Sequence, residues 1–260
     1  MTLRSRPPAT TLALSEIALF LDLDGTLTPL CASPDQVRPE PELTDLLRRA
    51  AAGLAGRVAV ISGRTVASVD AIVECACTAV AGVHGLQRRT AAGVLEAVSP
   101  HPRVQSAADQ MAAFARACPG LLVEHKEQSA ALHYRGAPQA EPAVLEFVQR
   151  LAEAEALALQ PGHMVMELRT PGPDKGAAVR AFLAEAPFRG RRPVYVGDDH
   201  TDESAFVAAV DAGGFGVLVG PERLSAAGWR LDDPSAVRSW IAAALDRGAV
   251  SLGDFARWAA

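Results

Sequence analysis

The chain has 260 residues, 49% of them hydrophobic and 21% charged, with a mean hydropathy of +0.13 and a formal net charge of −5. Such a chain is long enough for one large globular domain or two modest ones. The acidic balance excludes a global basic field for nucleic acid or anionic lipid, so an anionic substrate would need local cations or a metal. No stretch approaches the ~18 apolar residues of a membrane span.

The first sixteen residues carry two arginines and no sustained apolar core, and read as a flexible lead-in, not a signal peptide. From there, short near-continuous apolar runs recur at 17–23, 56–62 and 79–83, and again at 192–198 and 213–220, each bounded by Gly, Pro or Asp. Continuous rather than alternating hydrophobicity predicts strands buried on both faces of a parallel sheet. Helical stretches separate them at 41–52, 65–74, 176–186 and 202–210. The alternation predicts a doubly wound, Rossmann-like α/β core.

The middle, 87–169, breaks that pattern. A helix is predicted over 104–118, where Val104, Ala108, Met111, Ala115 and Cys118 recur at helical spacing. A hairpin follows over 121–135, turning near Glu127-Gln128-Ser129, then a second helix over 141–155 aligning Val144, Val148 and Leu151. A second hairpin over 157–169 is predicted to turn at Gln160-Pro161-Gly162. This is an α+β module inserted into a core made of 1–86 and 170–260, and the chain is expected to end in helices over 235–247 and 250–259. Cys31, Cys75, Cys77 and Cys118 have no framework spacing, which suits a reduced, cytoplasmic protein, expected to be a monomer.

The first apolar run carries the first chemistry. In ALFLDLDGTLTPL, Asp22 stands at the carboxyl end of a buried strand, where open α/β sheets place ligands, and Asp24 follows two positions on. Alternation points both carboxylates into one crevice, poised for a cation or for nucleophile and acid/base work. A structural Asx-turn or half a calcium loop are the blander readings, but Leu27, Pro29 and Leu30 stand where further acidic ligands would be needed. Ser62, Gly63 and Arg64 end the next strand, where a hydroxyl and backbone N–H groups can meet a phosphate oxygen. Lys175 precedes a helix, and Asp198, Asp199 and Asp202 cluster after another apolar strand. Asp202 also suits a first-turn acid complementing the helix dipole, while Asp198 and Asp199 read as metal ligands.

Asp22-Leu23-Asp24-Gly25-Thr26, Ser62, Lys175 and Gly197-Asp198-Asp199 with Asp202, in that order, resemble the four motifs of the haloacid dehalogenase superfamily of phosphohydrolases. The resemblance implies that Asp22 attacks phosphorus and Asp24 is the acid/base. It implies that Mg²⁺ is held by Asp22, the Asp24 carbonyl and Asp198, with Asp199 or Asp202 in support. Ser62 and Lys175 would bind phosphoryl oxygens. The insertion, between the second and third motifs, would be a cap that closes over the crevice and selects the substrate.

In the cap, Glu124 and Lys126 share one strand face by period two, as do Glu167 and Arg169. A solvated face would explain either pair alone; two such pairs suit a ring of sugar hydroxyls. GVHG (82–85), VEHKEQSAALHYR (123–135), ELRTPGPDKG (167–176) and GDDHTDESAF (197–206) resemble segments of the trehalose-6-phosphate phosphatase family. That resemblance implies a small phosphosugar substrate gripped by Glu124, Lys126 and Glu167, with Arg135 or Arg169 near the phosphate or supporting the cap. His84 resembles a family histidine in position, though a capped turn would equally explain it. The chain carries no fused glycosyltransferase segment, so a stand-alone phosphatase is expected. A sibling phosphatase for sucrose phosphate or a mannosylglycerate-type phosphate, a catalytically silent binder of trehalose phosphate, and a mutase remain the alternatives at this point.

Overall fold

The computed structural model describes residues 11–31 and 33–257. Its main sheet has nine strands. In chain order the elements of the first half of the core are β1 (Thr11–Ala13), β2 (Ile17–Leu21), α1 (Pro41–Gly53), β3 (Val58–Ile61), α2 (Val66–Val73), β4 (Ala79–Gly82), β5 (Gln87–Arg89) and β6 (Leu95–Ala97). The cap follows with α3 (Val104–Arg116), β7 (Leu122–Lys126), β8 (Ser129–His133), α4 (Glu141–Glu155), β9 (Ala158–Gly162) and β10 (Val165–Arg169). The core resumes with α5 (Lys175–Leu183), β11 (Arg192–Gly197), α6 (Glu203–Asp211), β12 (Phe215–Val219), β13 (Trp229–Leu231), α7 (Pro234–Arg247), β14 (Ala249–Ser251) and β15 (Ala256–Arg257).

The sheet order is β15-β13-β12-β11-β2-β3-β4-β5-β6, with the run from β13 to β4 parallel. All five residues of β2 are buried, because successive side chains feed different layers. Leu19 and Leu21 pack with Leu43 and Leu47 of α1, Val69 of α2 and Ile241 of α7. Ala18 and Phe20 pack on the other face with Phe182 of α5 and Phe206 of α6. From β2 the chain builds outward through β3 and β4, and later returns to build the other way from β11. The switch point between β2 and β11 opens a crevice at the strands' carboxyl ends, where such sheets bind ligands.

The cap sheet, β7-β8-β10-β9, packs α3 and α4 on one face through Val104, Met111, Val144, Val148, Leu132, Met166 and Leu168. Its other face turns to the crevice, as the period-two pattern requires.

Four expectations change. Residues 11–16 belong to the fold, because β1 pairs antiparallel with β14; the rest of the expected lead-in lies outside the described residues. Gln87–Arg89 and Leu95–Ala97, placed in the cap by sequence, pair onto the core sheet instead, so the cap's own sheet and helices begin at Val104. The second hairpin turns at His163-Met164, since Gly162 pairs with Val165 and Pro161 with Met166. Proline is tolerated there because β9 is an edge strand. The last helix expected over 250–259 is not formed. α7 ends at Gly248 in the left-handed region (φ 70°), β14 and β15 follow, and Phe255 is drawn into the core beside Trp240; residues 258 and 259 lie outside the described chain.

Candidate active site

Four loop segments meet at the crevice. Asp22 continues β2, its N–H bonded to the Val196 carbonyl at 2.9 Å. Leu23 is buried between the two aspartates, so the chain keeps its alternation and both Asp22 and Asp24 line one cavity of about 170 Å³. Gly25 then turns at φ +83°, and a Cβ there would collide with the Asp198 carboxylate. Thr26 Oγ1 donates to Asp198 Oδ1 at 3.1 Å, which ties the first motif to the fourth.

Lys175 is only 2% exposed, the first residue of α5 after the N-cap Asp174, whose carboxylate accepts the Ala177 N–H. Its Nζ lies 3.0 Å from Asp22 Oδ1 and 2.7 Å from Asp202 Oδ1. Burial alone would lower the lysine pKa, but Asp202 and Asp22 outweigh it and the pKa is raised. Asp202 is fully buried, and both its oxygens are engaged: Oδ1 also accepts from the Tyr195 hydroxyl at 2.6 Å, and Oδ2 accepts the N–H groups of Asp198 and Asp199 at 3.0 Å each. It acts as an anchor for the lysine and the loop.

Oxygens of Asp22, Asp198 and Asp202 lie within 4.8 Å of one another. Burial, with Asp202 and Asp198 nearby, pushes the Asp22 carboxyl well up despite Lys175. Burial and Asp202 push Asp198 up to about 7. The carboxylates of Asp22 and Asp198, crowded this closely and both reluctant to ionise, fit a small divalent cation, while Asp202, its oxygens already taken, stands behind them. Asp199 stands outside the group; its carboxylate takes the N–H of His200 at 2.7 Å and that of His163, in the β9–β10 turn, at 3.1 Å. It therefore joins cap to core.

Ser62 and Gly63 line the cavity beside Arg64, whose Nε and Nη2 pair with the two oxygens of Asp24 at 2.7 and 2.8 Å. A Cβ at Gly63 would strike the His84 ring. Val83 and His84 both adopt positive φ (47° and 54°), backbone that non-glycine residues reach only under strain. The bend carries the imidazole under the cap, where Nε2 donates to Glu167 Oε2 at 2.9 Å. Burial holds the His84 pKa down, against the pull of Glu167.

On the cap's crevice face Glu167 is the hub. Oε1 accepts from Lys126 Nζ at 3.0 Å and from the Ser129 hydroxyl, and Oε2 from His84. Burial would raise this carboxyl, but Lys126 and His84 overcome it and hold it far below the usual carboxylate range. Glu124 pairs with His133 at 3.1 Å and lies 3.8 Å from Lys126. Arg135 reaches from the cap to the Cys31 carbonyl of the core, and to the His163 carbonyl at 3.3 Å.

The expected residues Asp22, Asp24, Ser62, Gly63, Arg64, Glu124, Lys126, Arg135, Glu167, Lys175, Asp198 and Asp199 thus converge on one cavity, while Asp202 lies beneath it. Arg169 does not join them. It is buried at the cap's exit and donates to the Pro173 carbonyl at 2.9 Å, because the chain leaves β10 there and folds back over it. Sequence reasoning missed His133, Ser129, Gln160 and Tyr195. Counting back by twos from Arg135 would have reached His133 and Ser129; Tyr195 sits within an apolar strand and gives no such signal.

The trehalose-phosphatase family model matches residues 20–235. The chain is 38% identical to Escherichia coli trehalose-6-phosphate phosphatase over 87% of its own length and 86% of the relative's. It is 36% identical to a probable trehalose-phosphate phosphatase of Sinorhizobium fredii, covering 78% of each chain. The fold matches the C-terminal domain of Candida albicans trehalose-6-phosphate phosphatase with a TM-score of 0.78 at 20% identity, over 89% of this chain and 92% of the other. The chain belongs to the trehalose-phosphatase family.

Proposed function

We propose that the crevice hydrolyses trehalose 6-phosphate to trehalose and phosphate through a phosphorylated Asp22. The observation that carries this reading is the pairing of two opposed surfaces. Asp22, Lys175 and Asp198 form a phosphate pole on the core, and Glu124, Lys126 and His133 form a hydroxyl-binding face on the cap directly across the same cavity. Mixed donors and acceptors of this kind suit a disaccharide, which presents many hydroxyls and no charge of its own.

In the first half-reaction an Asp22 carboxylate oxygen attacks phosphorus, the bond from phosphorus to the sugar oxygen breaks, and Asp24 gives its proton to that oxygen. In the second, Asp24 takes a proton from water, the water oxygen attacks phosphorus, and the bond to Asp22 breaks. Lys175 and Ser62 hold phosphoryl oxygens through both halves, positioning that phosphoryl transfer needs more than covalent machinery. Arg64 now occupies both oxygens of Asp24, and an arriving phosphoryl group would compete for that guanidinium and release the acid. Mg²⁺, held by Asp22 and Asp198, would supply the positive charge that keeps both carboxylates ionised. The cap's closed contacts, Arg135 to Cys31 and His163 to Asp199, would exclude bulk water while the acyl-phosphate waits for its own. We place the enzyme in the cytoplasm, a reading supported by its four unpaired cysteines, and take it to act as a monomer.

The test is phosphate release with Mg²⁺ from trehalose 6-phosphate beside sucrose 6-phosphate, glucose 6-phosphate and an aryl phosphate. A kcat/KM for trehalose 6-phosphate exceeding the others by about a hundredfold or more is the expected result. A preference for another sugar would keep the phosphate pole and overturn the substrate.

A further inference from the structure

Arg223, in the loop between β12 and β13, belongs to none of the motifs above. Its Nη2 donates to the carbonyl oxygens of Asp198 and Asp199 at 3.3 and 2.8 Å. Its Nη1 donates to the Glu203 carboxylate and to the Leu224 carbonyl, the latter at 3.2 Å. Glu203 also accepts the Ala226 N–H at 2.8 Å, so the guanidinium is held from its far side. Asp202 meanwhile grips the N–H groups of Asp198 and Asp199 from within the core. The backbone of this dipeptide is therefore clamped at its two donors by a buried anion and at its two acceptors by a partly exposed cation.

We propose that Arg223 is a positioning residue for the metal pole: it fixes the peptide planes of Asp198 and Asp199, and through them the direction from which the Asp198 carboxylate enters the crevice. The proposal rests on the reading of Asp198 as a Mg²⁺ ligand. Groups that orient a ligand without touching the metal commonly govern affinity.

The sign of one effect separates positioning from charge. A guanidinium near a cation site repels Mg²⁺, so if charge were its only influence, removing Arg223 would tighten binding. If Arg223 positions Asp198, removing it weakens binding.

The experiment titrates Mg²⁺ into the substrate-free full chain and follows the rise in melting temperature, for the wild type, Arg223→Met, Arg223→Lys and Glu203→Gln. Far-ultraviolet circular dichroism checks each fold. Arg223→Met is expected to need about tenfold more Mg²⁺ for the same rise in melting temperature, with KM for trehalose 6-phosphate unchanged once Mg²⁺ saturates the enzyme. Arg223→Lys, with a point charge in place of a fork, is expected to recover only part of that loss. Glu203→Gln, which keeps the arginine but loosens it, provides a milder variant should Arg223→Met not fold and is expected to shift the titration in the same direction. Because it also removes an anion, whose loss alone would weaken Mg²⁺ binding, it can overturn the proposal, and the sign test itself rests on Arg223→Met and Arg223→Lys. Unchanged or tighter Mg²⁺ binding in folded Arg223→Met or, in its place, Glu203→Gln would overturn the proposal. A wild type that does not respond to Mg²⁺ would overturn the metal reading itself, and Asp198→Asn, expected to abolish the response, tells the two failures apart.

Discussion

Lys175 and Asp22 lie 3.0 Å apart, nitrogen to oxygen, with both side chains all but sealed from water. The lysine's other contact, Asp202, is just as buried. A cation in that position is held by two anions, and it leaves both uncompensated when removed. Lys175→Met is therefore expected to lower stability by about 3–5 kcal/mol, the usual result of breaking a buried ion pair from one side. Phosphate release should fall at least ~10³-fold as the phosphoryl oxygens lose their cation. Urea unfolding and steady-state kinetics on the same preparation check this, and a folded, fully stable variant would contradict it.

The cap should control affinity for the sugar and leave the chemistry alone. Glu124 faces the cavity with His133 on one oxygen, and it is the cap carboxylate less committed to internal partners than Glu167. Glu124→Ala is expected to raise KM for trehalose 6-phosphate about tenfold, the worth of one charged hydrogen bond. Hydrolysis of an aryl phosphate should stay within about twofold, since it makes no use of the cap face. Equal losses on both substrates would show Glu124 acting through the fold.

Glu167 belongs to a different class of residue. Its oxygens are taken by Lys126, Ser129 and His84, so Lys126→Met leaves a buried carboxylate short of its main counter-charge. A melting temperature well below that of Glu124→Ala is expected, with a stability loss of about 3 kcal/mol. The loss should be largest above the ordinary carboxylate range. Glu167 is pulled down in the fold, so its contribution is present there and fades as pH falls.

Much of this was legible in the sequence, for physical reasons. Strands buried on both faces must be continuously apolar, so Ile17–Leu21 and Val58–Ile61 announced a parallel sheet, and a carboxylate ending such a strand announced Asp22 as special. Period two gave the cap face correctly at Glu124, Lys126 and Glu167. What failed depended on tertiary partners. Pro161 looks like a turn, and only its place on an edge strand makes it a strand residue. Val250 and Phe255 look helical until β1 and the core claim them. Arg169 shares Glu167's face by count, yet the chain's exit from the cap covers it. Arg223 acts through backbone carbonyls, which leave no trace in residue type.

The Asp22 and Asp198 pair carries a pH signature. Burial and the neighbouring Asp202 push the Asp198 carboxyl up from the ordinary 3.8 to about 7, and Asp22 is shifted the same way. A carboxyl whose folded pKa is raised binds its proton more tightly in the fold, so its stabilisation is full at low pH and is lost as pH climbs toward 7. His84, pushed below its ordinary 6.5 by burial, works in the opposite sense over part of that window. Subtracting the EDTA melting temperature from the Mg²⁺ one cancels His84. The difference should grow from pH 5.5 to about 7.5, because Mg²⁺ binds only the ionised carboxylates. A difference flat across that range would contradict the assignment of Asp198.

Asp22 as the nucleophile is tested most directly by phosphate release from saturating trehalose 6-phosphate, with Asp22→Asn run beside the wild type in Mg²⁺. Asparagine keeps the shape and the fit to the crevice but offers no nucleophile. Turnover is expected to fall at least ~10⁴-fold while trehalose 6-phosphate still raises the variant's melting temperature. Turnover retained within about tenfold would mean that phosphorus is attacked by some other group, and would contradict a phosphorylated Asp22.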